Sequence, residues 1–150
     1  MIVVIQRVAN ASITIDSELH ATISHGMLVL LGVSEDDNWE DANYICSKLL
    51  PLRIFADTQG KMNLSVVDVA GEVLLISQFT LLANTQKGNR PSYISAAKPD
   101  VAVPLYEHCI KQLNDSLGNK LKTGVFGADM KVSLLNDGPV TIIINSKDRK

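Results

Sequence analysis

The sequence predicts an α+β fold in which mostly antiparallel strands pack with two main helices, and three observations lead to this class. Short apolar runs rich in Val and Ile recur along the 150 residues and are separated by turn residues. Helical spacing of apolar residues is found in two longer segments, at about 38–50 and 100–117. No repeat or flexible linker divides the chain, so we expect a single domain over residues 1–150.

The apolar runs differ in ways that indicate how each strand is buried. Residues 27–33 and 72–77 are almost continuously apolar, which is typical of strands covered on both faces. The other runs are shorter or alternate with polar residues, as expected for strands with one exposed face. By these criteria the remaining predicted strands are 2–8, 12–15, 21–23, 52–55, 120–122, 130–135 and 140–144.

The two helices have recognisable starts and stops. The first follows an acidic loop whose carboxylates complement a helix dipole, and it should bury Trp39, Ile45 and Leu49. The second should take Asp100 as its N-cap and stop at Gly118. Each helix contains one cysteine, Cys46 or Cys109, and the two match no metal-binding spacing, so we expect free buried thiols.

Composition limits the classes of function. Hydrophobic residues make up 46% of the chain and charged residues 20%, and no apolar run approaches the roughly 20 residues of a membrane span. The N-terminus lacks the basic head and cleavage site of a signal peptide, so we expect a cytoplasmic protein without a membrane partner. A net charge of −2 allows contact with a nucleic-acid end and argues against broad duplex binding. The three histidines are scattered and phosphate-loop motifs are missing, so we expect neither a metal nor a cofactor.

Polar side chains follow directly after the buried strand at 72–77. Ser77, Gln78 and Thr80 offer hydroxyl and amide groups, together with the backbone N–H groups of the segment. Such donors can stabilise the oxyanion of an acyl-transfer reaction. No His or Asp lies nearby in sequence to complete a triad. The alternative is a strand end whose Ser and Thr face solvent.

Asp137-Gly138-Pro139 carries strong turn chemistry between two strand-like runs. The simplest prediction is a hairpin turn. A second possibility is that the Gly138–Pro139 bond is cis, because an X–Pro bond adopts this form at modest cost. The two flanking carbonyls would then point to one side and could accept hydrogen bonds from an ammonium group.

Three further features each allow two interpretations. The loop Lys87-Gly-Asn-Arg-Pro91 is basic and suits phosphate contact, but it could simply be solvated. Phe126, between Gly124 and Gly127, could stack on a base or pack in the core. Arg7, next to an apolar strand, could be an edge charge or have a specific partner.

Five motifs occur along the chain in a fixed order. They are Ile5-Gln6-Arg7-Val8, Ser77-Gln-Phe-Thr-Leu81, Lys87-Gly-Asn-Arg-Pro91, Gly124-Val-Phe-Gly-Ala-Asp-Met130 and Asn136-Asp-Gly-Pro-Val-Thr141. Taken together and in this order, they closely resemble the motifs of D-aminoacyl-tRNA deacylases of the DTD type. The resemblance covers nearly the full length, to about Asn145.

The resemblance implies a homodimeric hydrolase with a barrel-like or sandwich core and its active site at the subunit interface. Its substrate would be the aminoacyl-tRNA 3′ end, where it would cut the ester of a D-amino acid, or of mischarged glycine, in chiral proofreading. Gly138 and Pro139 would reach into the partner's site, take the α-ammonium and leave no room for an L side chain. Arg7 would hold that turn, and Asn136 would lie beside the substrate.

The resemblance also assigns the rest of the site. Ser77, Gln78, Phe79 and Thr80 would line the ester, and Phe126, Ala128 and Met130 would form the adenine-side wall. The chain departs from the family pattern at three loop positions. Leu82 stands where many relatives have Tyr, Asn84 where many have Asp, and Asn89 where many have a basic residue.

Two questions stay open at this point. Thr80 could be the nucleophile, but we favour attack by water assisted by the 2′-OH of the terminal ribose. The alternative function is a nucleic-acid-binding module without catalysis, which would use the basic loop at 87–90.

Overall fold

The fold is built around one long N-terminal strand, β1 (Ile2–Ile15), which pairs with three other strands. In the computed structural model, which describes residues 1–149, the first half of β1 pairs antiparallel with β3 (Gly26–Gly32). Its second half pairs antiparallel with β2 (Glu18–Ile23). Along its other edge β1 pairs antiparallel with β8 (Lys131–Asn145).

The sequence predicted two separate strands at 2–8 and 12–15, and this was wrong because the backbone pairs continuously across them. Val8 lies opposite Asn136 and Asn10 opposite Leu135, which leaves Ala9 as one extra residue on β1. A bulge of this kind shifts the alternation of inward and outward side chains without ending the strand. The change of pattern in the sequence therefore marks the bulge.

Two more strands complete a mixed sheet. Strand β6 (Glu72–Ser77) pairs parallel with β3, and β7 (Leu121–Thr123) pairs parallel with β6. Since β2 also contacts β7, the sheet curls into a nearly closed barrel. The predicted α+β class is confirmed, with antiparallel pairing around β1 and parallel pairing from β3 onwards. A separate antiparallel pair consists of β4 (Phe55–Ala56) and β5 (Met62–Leu64).

Strands β3 and β6 are buried on both faces, as their continuous apolar runs predicted. Val29 and Leu75 point into the layer between the sheet and the helices. Leu28 and Leu74 point to the opposite face, into the interior of the barrel. These strands therefore join two apolar cores, and side chains that follow them are held on a rigid base.

Helix α1 (Trp39–Leu49) begins at a complete capping box. The Asn38 side chain accepts a hydrogen bond from the Glu40 N–H at 2.8 Å, and the Asp41 carboxylate accepts one from the Asn38 N–H at 3.0 Å. Trp39 was predicted to be buried, and this was wrong: its side chain is 53% exposed. As the first helical residue it points away from the core and packs edge-on against His108, with ring centroids 4.9 Å apart.

Helix α2 (Pro99–Leu117) lies beside α1 on the same face of the sheet. Its N-cap is Lys98 and not the predicted Asp100, because Pro99 takes the first helical position, where its missing N–H costs nothing. The helix ends at Gly118, as predicted, with a φ of +54°. Cys46 and Cys109 are free and buried where the helices meet, which confirms that prediction.

Residues 130–145 do not form the predicted hairpin, because both apolar runs belong to the single strand β8. Gln6 pairs with Thr141 and Val8 with Asn136, so the four residues 137–140 lie opposite Arg7 alone. The turn residues therefore make a wide bulge within β8 in place of a reversal of the chain. The Gly138–Pro139 peptide bond in this bulge is cis.

No helix within residues 1–149 is both long and apolar enough to cross a membrane. Those residues also contain no cluster of three or more His, Cys, Asp or Glu side chains arranged to hold a metal ion.

A buried carboxylate ties the C-terminal segment to the start of α1. The Asp41 side chain is 5% exposed, and Lys147 Nζ lies 2.8 Å from its Oδ2 atom. Burial raises the pKa of Asp41, but hydrogen bonds from Lys147, Ser146 and the Asn38 backbone outweigh it, and the pKa falls to about 2. The ionised carboxylate is therefore favoured in the folded state.

We predict that Asp41→Asn lowers the free energy of unfolding at pH 7 by about 2 kcal/mol. The folded pKa lies below the unfolded value, so this stabilisation is present above about pH 4 and disappears as the pH falls towards 2. Urea unfolding of wild type and variant across this range should show their stabilities converging in acid. Asp129→Asn is the matched control, because the Asp129–Lys131 pair is also 2.8 Å apart but highly exposed to solvent. A constant difference between wild type and Asp41→Asn at all pH values would contradict the prediction.

Candidate active site

A cavity of about 280 Å³ opens where β3 and β6 end, between α2 and the segment 124–130. Strands β3 and β6 are parallel neighbours, so their carboxyl ends reach the same edge of the sheet. The cavity is lined by side chains from four parts of the chain: Leu31, Val33, Ile76, Ser77, Gln78, Phe79, Ala97, Ala102, Tyr106, Phe126, Gly127, Ala128, Asp129, Met130 and Val132.

The polar side of the cavity is the segment that follows β6. The Gln78 N–H donates to the Leu31 carbonyl at 2.7 Å, which fixes the chain as it leaves the sheet. A short 3₁₀ helix, Phe79–Leu82, follows immediately. Within it Thr80 Oγ1 accepts a hydrogen bond from Gln78 Nε2 at 2.5 Å. Among residues 1–149, no His or carboxylate is hydrogen-bonded to the Ser77 or Thr80 hydroxyl, so no triad is assembled here.

The opposite side of the cavity is apolar. The rings of Phe126 and Tyr106 lie 6.0 Å apart, and Met130 packs beside them along the cavity wall. Tyr106 donates its hydroxyl to the Leu75 carbonyl at 3.1 Å. Burial raises the pKa of Tyr106 to about 12, so the phenol stays a neutral donor and fixes α2 to β6. Phe126 is partly buried, and it belongs both to the core margin and to the cavity.

Sequence reasoning missed the contribution of α2. Ala102 and Tyr106 line the cavity from its first turns, while Leu105 and Cys109 face the core. The sequence pattern contained this information, because the apolar face of a helix is wide enough to include positions i, i+3, i+4 and i+7. Ala102 and Tyr106 are four residues apart and so lie on the same face of α2.

The Gly138–Pro139 bulge lies apart from this cavity and is held by Arg7. The Arg7 guanidinium donates to the Asp137 carbonyl at 3.0 Å and to the Ile54 carbonyl at 2.6 Å. Its Nε also lies 3.4 Å from the Asp137 carboxylate. Gly138 has a φ of +132°, and a Cβ there would lie 2.9 Å from Val140 Cγ2 and 3.0 Å from the Arg7 guanidinium. This position therefore requires glycine.

The structure thus sorts the predicted site residues into two groups. Six of them line the cavity: Ser77, Gln78, Phe79, Phe126, Ala128 and Met130. Thr80 belongs to the same group, because it is hydrogen-bonded to Gln78. The second group surrounds the bulge in β8 and does not reach the cavity of the same chain; it consists of Arg7, Asn136, Gly138 and Pro139.

The basic loop lies next to the cavity on a closed hairpin. Asn84 and Ser92 exchange backbone hydrogen bonds at 2.8 and 2.9 Å, which closes the intervening loop. Lys87 and Arg90 are exposed there, and neither forms an ion pair with another residue in the described part of the chain. The loop therefore presents uncompensated positive charge.

Comparison with known proteins gives one consistent family. A family model described as D-Tyr-tRNA(Tyr) deacylase matches residues 4–145. D-aminoacyl-tRNA deacylases of Flavobacterium psychrophilum and Bacteroides fragilis are 59% and 55% identical over 150 residues, covering 100% of both chains in each case. A solved structure of a c-Myc DNA Unwinding Element Binding Protein is 39% identical, covers 97% of this chain and 98% of that chain, and has a TM-score of 0.92.

The fold and these matches define the class of protein as a hydrolase, and more narrowly as a deacylase. The chain belongs to the D-aminoacyl-tRNA deacylase family, which confirms the resemblance found in its five motifs.

Arg7 should contribute strongly to stability through the bulge. We predict that Arg7→Met lowers the free energy of unfolding by about 2–3 kcal/mol, because two carbonyl groups lose a charged donor. Arg7→Lys should recover only part of this loss, since an ammonium cannot span both carbonyls as the guanidinium does. Urea unfolding measures the effect, and Arg53→Met, at an exposed arginine that also binds a carbonyl, is the control. Equal stability of Arg7→Met and wild type would show that Arg7 is only an edge charge.

Proposed function

We propose that this protein hydrolyses the ester between a D-amino acid and the 3′-terminal adenosine of tRNA, and that it also removes glycine mischarged on tRNA. The observation that carries this proposal is the cavity, which brings a polar segment and an aromatic wall to opposite sides of one space. An aminoacyl-adenosine has the same two parts, a polar ester and a flat base.

The chemistry proposed for the polar segment is oxyanion stabilisation. The N–H groups of Phe79 and Thr80 begin the 3₁₀ helix, where helical hydrogen bonding leaves the first donors unpaired. Aimed at the ester, they would stabilise the negative charge that forms on the carbonyl oxygen. Water would attack the carbonyl carbon, the bond to the ribose 3′-oxygen would break, and that oxygen would leave as a hydroxyl. The neighbouring 2′-OH would assist proton transfer.

Thr80 is better placed to orient Gln78 than to act as a nucleophile. Its Oγ1 accepts from Gln78 Nε2, and no basic side chain is hydrogen-bonded to it within residues 1–149. A hydroxyl without a neighbouring base is a weak nucleophile at neutral pH.

We further propose that the Gly138–Pro139 bulge of one subunit completes the cavity of its partner. One chain holds the two groups of site residues apart, so a second copy is needed to unite them. The carbonyls of the bulge would accept the substrate α-ammonium, and their closeness to Cα would exclude an L side chain. Glycine has no side chain and would pass this test.

The surface of β8 supports assembly into a dimer. Leu135 is 58% exposed and Ile143 67% exposed, and both belong to this 15-residue strand. Among the described residues β1 is the only strand paired with β8, apart from the isolated Asn145–Asp148 bridge, so the other edge of β8 is open to a further strand. A long apolar edge strand of this kind is a typical site of subunit contact.

A nucleic-acid-binding module without catalysis is the second candidate. It is favoured by the structural similarity to a protein described as binding a DNA element and by the uncompensated charge of Lys87 and Arg90. A duplex-binding protein would show a steep fall of affinity with salt.

The deciding experiment measures release of D-tyrosine, L-tyrosine and glycine from charged tRNA by the pure protein, alongside a salt titration of duplex binding. Release of D-tyrosine and glycine only is expected, and steep duplex binding without release would overturn the proposal.

Thr80→Ala should reduce kcat by about tenfold without abolishing hydrolysis, because it removes one orienting contact and no nucleophile. Thr80→Ser should retain most of the wild-type rate, since its hydroxyl can still accept from Gln78. Single-turnover assays on D-tyrosyl-tRNA measure both variants. An aminoacyl adduct on Thr80, trapped by acid quench and detected by mass spectrometry, would contradict this role.

A mixing experiment tests the shared site. Ala128→Trp should fill the cavity, and Gly138→Ala should distort the bulge, so each variant alone should be nearly inactive. A mixed population of dimers made by co-expression should recover about a quarter of wild-type activity, since half of the dimers then contain one intact site of two. Light scattering confirms that each variant still forms dimers. Two inactive variants that remain inactive when mixed would show that each chain contains its own complete site.

A further inference from the structure

Two exposed aromatic side chains lie at the mouth of the cavity. Phe79 is 56% exposed and Tyr93 38% exposed, and their ring centroids lie 5.1 Å apart at an interplanar angle of 74°. Phe79 also lines the cavity, so the aromatic surface continues from inside the cavity to its outer rim. A contiguous apolar patch beside a site indicates contact with a ligand or a partner.

The segment that carries Tyr93 is fixed to the body of the protein. The Asn84–Ser92 backbone bridge immediately precedes it. The Ala96 N–H donates to the Tyr93 carbonyl at 3.0 Å, and the Ala97 N–H donates to the Val33 carbonyl at 2.9 Å. Val33 directly follows β3, so the rim is attached to the same strand that supports the cavity. The backbone that carries Tyr93 is therefore fixed before any ligand arrives.

The charge around this aromatic pair points to a phosphate-bearing ligand. Residues 73–99 contain three cationic side chains, Lys87, Arg90 and Lys98, and no Asp or Glu, although the whole chain has a net charge of −2. None of the three forms an ion pair within residues 1–149. Aromatic side chains beside a basic segment are the usual platform for single-stranded nucleic acid, in which bases stack and phosphates meet cations.

We propose that Tyr93, with the outer edge of Phe79, stacks on the base of the nucleotide that precedes the terminal adenosine. This inference rests on the proposed function, because it requires the terminal adenosine to occupy the cavity. The strand would then leave the cavity past Phe79, with its backbone phosphates running towards Lys87 and Arg90. The rim would bind any base, because every base offers a π-face, and the gain would fall on substrates longer than one nucleotide.

The test compares a short and a long substrate. D-tyrosyl-adenosine carries only the nucleoside that the cavity holds, whereas D-tyrosyl-tRNA also offers the preceding nucleotides. Tyr93→Ala should raise KM for the tRNA substrate by about tenfold with little effect on kcat, as loss of one stacked base predicts. The change in KM for D-tyrosyl-adenosine should be much smaller. Tyr93→Phe keeps the ring and should restore the tRNA KM.

Trp39→Ala is the matched control, because Trp39 is an exposed aromatic residue on α1 that does not line the cavity. It should leave both KM values unchanged. Equal effects of Tyr93→Ala on the short and long substrates would overturn the stacking role. Dissociation of Tyr93→Ala dimers in light scattering would overturn it as well, since the ring would then be a subunit contact.

The two proposals fail in different ways. If the wild-type protein releases D-tyrosine from neither substrate, the proposed function is wrong. If it cleaves D-tyrosyl-adenosine with the same KM as D-tyrosyl-tRNA, the function stands and stacking at Tyr93 is wrong.

Discussion

The hydrogen bonds of one arginine determine how the longest strands of this protein fit together. Strands β1 and β8 pair over almost their full lengths, yet four residues of β8 face only Arg7. An unsupported bulge of this size would leave backbone carbonyls without partners near the protein surface. The Arg7 guanidinium supplies donors to Asp137 and Ile54, so the bulge is joined to both the sheet and the β4 region. A planar group with several fixed donors suits this task better than a flexible ammonium.

This arrangement separates the backbone feature from the cavity and gives each a rigid support. The cavity is formed where the parallel strands β3 and β6 end, on the apolar layer that also anchors α2 through Tyr106. The bulge is formed on the antiparallel pair at the other side of β1. Under the proposed function, a second copy of the chain would bring the bulge to the cavity. The backbone carbonyls of the bulge would then distinguish D- from L-substrates through the geometry of the assembly. The identity of the substrate side chain would not need to be recognised.

The sequence predicted those parts of the fold that depend on local patterns. The two helices and the doubly buried strands β3 and β6 follow from periodicity and composition, and the polar run after β6 follows from its position. The predicted hairpin turn at Asp137-Gly138-Pro139 was wrong, because turn chemistry fits a bulge as well as a reversal, and only the long-range pairing with β1 distinguishes them. The prediction that Trp39 is buried was wrong, because the exposure of a first-turn residue depends on the direction in which the helix leaves its loop. The cavity itself unites four distant segments, which no local pattern contains.

Local charge, and not net charge, should govern how this protein meets RNA. At physiological ionic strength, interactions between exposed charges are largely screened beyond about 8 Å, so a phosphate at the cavity rim responds mainly to the nearest side chains. There every charged side chain of the segment 73–99 is cationic, whereas carboxylates outnumber cations over the rest of the chain, as in the cluster of Asp36, Asp37 and Asp41 around Lys147. A duplex lying across the surface would meet both signs of charge and gain little. A single-stranded end that enters the cavity would pass the cationic rim and meet one carboxylate in the lining, Asp129, which is paired with Lys131. The charge distribution therefore favours an RNA terminus over a continuous helix.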